Sequence, residues 1–137
     1  MAFEKPLLIQ SFTAASAMSN STNQYIFVKL LSAGTVVPCS SAQDCPIGVL
    51  QNLPDRGSQA EVLMVGISKL RVGSTDVAGT SAAFVGSDAN GRAILAVSGN
   101  SATYAAARVI QLDATDNDGA LVTAAVNCLS LMSVRSF

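Results

Sequence analysis

Eight glycines, Gly48, Gly57, Gly66, Gly73, Gly79, Gly86, Gly91 and Gly99, punctuate the middle of the chain at intervals of five to nine residues. Between them lie brief runs of Val, Ile, Leu and Ala. A glycine inside a helix costs about 1 kcal/mol relative to alanine, so helices of ordinary length do not fit between such breakers. Short apolar runs with turn signals at this spacing predict an all-β fold, a small β-barrel or β-sandwich.

The expected strands follow from composition. Leu7–Phe12 is a short extended arm after Pro6. Tyr25–Leu30 joins aromatic to β-branched residues and is the strongest candidate. Thr35–Val37 follows a turn at Gly34, and Val49–Gln51 and Val62–Val65 flank the polar loop Pro54–Gly57. Lys69–Val72, Phe84–Val85, Ala93–Val97, Val109–Leu112, Leu121–Val126 and Leu129–Val134 complete the set. Asn90-Gly91 between apolar segments predicts a hairpin turn. Thr13–Asn23 is rich in Ser, Ala, Asn and Thr without an apolar period, and reads as a flexible link. The expected organisation is therefore an N-terminal arm and linker over residues 1–23 and a β-rich body over 24–137. Ser101–Ala107, with four alanines behind Ser101, is the one place for a short helix. An echo at an offset of 60 residues aligns Val49-Leu50-Gln51 with Val109-Ile110-Gln111, and Ala60 and Val62 with Ala120 and Val122. It suggests two similar β-hairpins.

Composition bounds the function. With 137 residues, one domain is expected, and it buries roughly two-thirds of its unfolded surface. There is no histidine, hydrophobic residues make up 50% and charged residues 12%. Without histidine no Ser-His-Asp or Cys-His set can form, and no phosphate loop ends in Gly-Lys-Ser or Gly-Lys-Thr. The acids sit mostly beside Gly, Asn or Pro, as solvated turn charges. Asp116-Asn-Asp118-Gly119 fails as a calcium loop because its twelfth position is Asn127, and reads as an Asx-rich turn. Cys39, Cys45 and Cys128 are expected as free buried thiols, and a zinc site lacks its fourth ligand. No catalysis, cofactor or metal is expected. Eight Lys and Arg spread along a chain of net charge −1 do not make a nucleic-acid-binding face. The long uncharged run Pro6–Val28 is too interrupted by polar residues to span a membrane. The apolar start is too short for a secretion signal, and Glu4 is wrong for its basic end, so the chain is expected to act in the cytoplasm where it is made.

A surface so poor in charge suits contact with neighbouring protein. The apolar residues of the arm, Phe3, Leu7, Leu8, Ile9 and Phe12, are the candidate contacts. Their alternatives are an ordinary first strand of the domain, or a strand added to a partner's sheet edge.

Several segments carry a resemblance. Met1–Gln10, Gln24–Leu30, Cys39–Pro54 with its Gly48-Val-Leu-Gln-Asn52, Ala60–Val62 running into Gly66–Lys69, and Phe84–Arg92 together resemble the capsid decoration, or cement, proteins of tailed bacteriophages. Specificity comes from the order of these short motifs. The resemblance implies a small β-rich, non-enzymatic virion protein on the outer face of the head. It implies binding to the major capsid protein across neighbouring subunits and assembly as a homo-oligomer, with a trimer expected. Such a protein stabilises the shell by binding the assembled lattice in preference to the loosened one. A phage fibre or tail-associated assembly module is the alternative. A carbohydrate-binding β-domain is less well supported, because the chain has no Trp and two Tyr to stack on sugars.

Overall fold

The strands wrap into two hydrogen-bonded rings that share one long strand. The computed structural model describes residues 4–73, 84–96, 104–111, 119–129 and 132–133. They form β1 (Lys5–Ala14), β2 (Phe27–Ser32), β3 (Thr35–Pro38), β4 (Gly48–Leu50), β5 (Gln59–Arg71), β6 (Phe84–Ser87), β7 (Ala93–Leu95), β8 (Tyr104–Ala105), β9 (Ala107–Gln111), β10 (Leu121–Asn127) and β11 (Met132–Ser133). Among these residues the one helical turn is 3-10, at Ser21–Asn23, capped by the Asn20 side chain. The all-β reading holds.

Nine strands lie in one sheet, in the order β1-β3-β2-β4-β5-β10-β9-β6-β7. β1 also pairs with β5, so β1, β3, β2, β4 and β5 close on themselves. On the other side β7 returns to the end of β5 through a parallel bridge, Val72 to Ala93, where the Gly73 N–H donates to the Ala93 carbonyl at 2.8 Å. β8 and β11 form a separate pair.

The shared wall explains the continuous apolar runs. Successive strand residues point to opposite faces, so a strand covered on both sides must be apolar throughout. Phe27, Val49 and Leu63 lie side by side across β2, β4 and β5 and join the larger core with Leu70, Val72, Val85, Val109 and Val122. Their neighbours Val28, Leu50 and Val62 face the smaller core with Met18, Val36 and Ala60.

β5 changes faces along its length. Ala60 and Val62 face the smaller core, and Met64 packs against it, whereas Leu70 and Val72 face the larger one. Even positions thus switch cores. The switch coincides with a register slip against β1, where Leu8 opposes Val65 and Ile9 opposes Leu63. One extra residue reverses the inward and outward sets. Gly66 sits beside the slip at φ +137°, a conformation that a side chain disfavours. A Cβ there would lie 2.7 Å from the Leu7 nitrogen and 2.8 Å from the Lys5 carbonyl oxygen. Val62–Val65 and Lys69–Val72, expected as two strands, are thereby one element bent at a glycine.

Other expectations are corrected. Thr13–Asn23 is anchored rather than free. Ala14 and Met18 are buried, and Ala14, Ala15 and Met18 donate backbone bonds to Ser58, Val36 and Pro54. Two apolar side chains suffice to hold a segment whose other residues are polar. The short helix expected at Ser101–Ala107 is strand from Tyr104 on, because Tyr104 and Ala105 pair with Ser133 and Met132, while Ala107 pairs with Val85 and Val126; residues 101–103 lie outside the described set. Tyr25 precedes β2 at φ +65° rather than belonging to it. Leu129 is an exposed bend, not the start of a strand. The Asn90-Gly91 hairpin forms as expected. Asp88 accepts the Asn90 and Arg92 amides, and the Gly91 carbonyl accepts the Phe27 N–H at 2.7 Å, pinning the hairpin to β2. Both halves of the 60-residue echo are antiparallel pairs, β4–β5 and β9–β10. Their packing differs, since Leu50 is buried where Ile110 is exposed. Of the predicted Asx-rich turn only Gly119 is described.

Candidate docking surface

β1 lays its side chains outward. Every residue from Lys5 to Ser11 is exposed, with Leu7 at 82%, Leu8 at 39% and Ile9 at 42%. Leu7 stands clear because the register slips between Pro6 and Leu8, leaving it without an opposite residue. One edge of β1 is bonded to β5. The other meets β3 only at Thr13 and Ala14, so among the described residues the Lys5–Phe12 stretch of that edge has no strand beside it. Unpaired edge amides and carbonyls are a template for another strand.

The predicted contacts are brought together in part. Leu7, Leu8 and Ile9 are consecutive exposed apolar residues of β1. Phe12 turns inward and packs on the smaller core, so it anchors the strand. Phe3 lies outside the described residues.

A further exposed face, not expected from the sequence, meets β1 at Lys5. Phe84, Arg108, Ala125, Ile67 and Lys5 oppose one another in turn across β6, β9, β10, β5 and β1. Directly opposed residues share a face. Phe84 is 44% exposed and its ring lies 5.4 Å from the Arg108 guanidinium. A groove of about 220 Å³ runs between Phe84, Arg108, Asn127 and the alanines 105, 106, 107 and 125. Ile110, at 45% exposure, belongs to the same outward set as Arg108. That shared parity with an arginine was the available signal.

Polar contacts hold the surroundings in place. The Lys29 ammonium donates to Asp44 at 2.8 Å, and the Ser40 N–H donates to the same oxygen at 2.8 Å, closing the loop between Cys39 and Cys45. Burial raises the Asp44 pKa, but these bonds outweigh it and hold the carboxyl below its ordinary value. Arg71 donates to the carbonyls of Gln24, Gly119 and Ser21 at 3.1, 2.8 and 3.2 Å, tying the 3-10 turn to β5. Lys69 lies 3.9 Å from the Glu4 carboxylate and 5.5 Å from the centre of the Tyr25 ring. Burial, then a hydrogen bond to Glu4, push the Tyr25 phenol up.

The three thiols are free. Burial pushes Cys39 up to about 12 and Cys128 to about 12, which leaves both inert at neutral pH. Cys45 is exposed, unlike the expected buried thiol. Among the described residues no three His, Cys, Asp or Glu side chains gather as metal ligands, and no helix is long and apolar enough to cross a membrane.

No family model matches the chain, and no curated protein matches it in sequence. A solved structure does match in fold. The chain is similar to the N base of head fiber gp8.5 of bacteriophage phi29. The TM-score is 0.62 over 88% of this chain and 94% of that one, at 13% sequence identity. Identity this low makes the likeness one of fold. The two share an architecture over most of both lengths.

Proposed function

We propose that this chain is a structural protein of a phage head, seated on the outer shell and binding the major capsid protein through the apolar run of β1 and the face beside it. The observation that carries the reading is the apolar run itself: three large apolar side chains stand in solvent on a strand whose outer edge, among the described residues, is open from Lys5 to Phe12. The fold likeness to a phage head fiber base supports association with a phage head.

The mechanism is additive. Docking places Leu7, Leu8 and Ile9 in apolar surroundings, and burying such a side chain contributes about 1.5–3 kcal/mol. Edge amides and carbonyls of β1 pair with an extended segment of the shell protein, which fixes register. Binding that favours the assembled lattice over the loosened one stabilises the shell by mass action. Assembly as a homotrimer would repeat the contact around a local symmetry axis. No step requires catalysis.

A second reading is the base of a head fibre, favoured by the phi29 likeness. It shares the attachment to the head but makes the outward side a platform for further chain.

The test is sedimentation with heads of the parent phage made without this chain. Wild-type protein should co-sediment and saturate. Leu7→Glu with Ile9→Glu should weaken binding at least tenfold, since 1.4 kcal/mol corresponds to a factor of 10. Full occupancy by that variant would remove the apolar run from the interface.

A further inference from the structure

The two halves of β1 are held very differently. The C-terminal half is locked: Phe12 packs on the smaller core, Ala14 is buried, Thr13 and Ala14 pair with β3, and the Gln59 amide donates to the Ser11 hydroxyl at 2.7 Å. The N-terminal half, Lys5–Gln10, buries no side chain. Its ladder with β5 slips twice, between Pro6 and Leu8 and again between Leu8 and Ile9. Slips interrupt pairing, and Pro6 has no N–H to donate. Beyond the remaining ladder bonds, its start is held by Glu4, whose carboxylate is 3.9 Å from Lys69. An exposed ion pair at that distance is worth at most about 1 kcal/mol.

We propose that Lys5–Gln10 is a strap that opens as a unit about Ser11 while both cores stay folded. Local opening follows where buried contacts are few and the backbone bonds are solvent-exposed. The open strap frees Leu7, Leu8 and Ile9 together with both backbone edges, and it uncovers the edge of β5 from Val62 to Ile67. The inference rests on the hold of β1 alone and stands apart from the head reading.

Limited digestion of the wild-type protein with thermolysin, which cuts before large apolar residues, tests it. The first cut is expected at Leu7, Leu8 or Ile9, leaving the remainder intact. Its rate should rise only weakly with urea, because opening six residues exposes little surface. Native-state hydrogen exchange should give the protected amides of Leu7–Gln10 at least tenfold faster exchange than those of Ala14 and Val122. A first cut in the body, or a strap cut whose urea dependence equals that of global unfolding, would overturn the proposal. So would equal exchange rates in the strap and in β10.

Discussion

Gly66 is the residue on which the bend of β5 turns. Its φ of +137° is unfavourable for a side chain, and a Cβ would press on the backbone of Lys5 and Leu7 rather than on a movable side chain. Gly66→Ala is therefore expected to destabilise the fold by about 1–3 kcal/mol, read as a lower urea midpoint. Glycine was legible as punctuation, but whether it ends a strand or bends one depends on the strand packed across it, which local sequence does not encode. Tyr25 makes the same point. An aromatic residue before Ile-Phe-Val reads as strand, yet it sits at φ +65° because its N–H donates to Leu50 while its carbonyl accepts from Arg71.

Charge at single residues is also testable. The folded pKa of Asp44 is depressed, so its contribution to stability is present above the ordinary carboxylate value and is lost as pH falls through the folded value. The Ser40 amide signal should titrate with a midpoint below 3.8, and Asp44→Asn should abolish that titration. Thiol labelling at pH 8 should modify Cys45 rapidly, with Cys39 and Cys128 reacting only on unfolding, since burial holds both thiols near a pKa of about 12.

At the scale of elements, the rings depend on β5. Leu63 lies in the wall between the cores with no exposure, so Leu63→Ala should cost about 2–5 kcal/mol. Leu7→Ala, on a side chain that is 82% exposed, should change stability by less than about 0.5 kcal/mol. Because β2, β4 and β5 serve both cores, chemical unfolding should follow one transition by fluorescence and by circular dichroism alike; two separated transitions would mean that the rings fold independently. The strands themselves were legible where apolar runs are continuous, as at Phe27-Val28 and Val49-Leu50, since burial on both faces leaves no polar position. Thr13–Asn23 misled because only Ala14 and Met18 of its side chains are buried, and the rest of its hold is through backbone bonds and Arg71. The run of alanines at 105–107 misled because helix propensity yields to pairing with β6, β10 and β11.

For the molecule as a whole, the candidate surface was half legible. Leu7, Leu8 and Ile9 stood out because they precede a polar stretch. Phe84, Arg108 and Ile110 did not, because only the pairing of β6, β9 and β10 brings them to one side. Charged residues at 12% and exposed Leu7, Ile9, Leu31 and Phe84 suit contact with other protein. The central claim is that this chain sits on a phage head with β1 toward the shell. Electron cryomicroscopy of intact particles tests it most directly. Density for the two-ringed fold is expected at repeated positions on the outer head, with Leu7–Ile9 against the major capsid protein. Density confined to the tail, or head density in which β1 points into solvent, would contradict it.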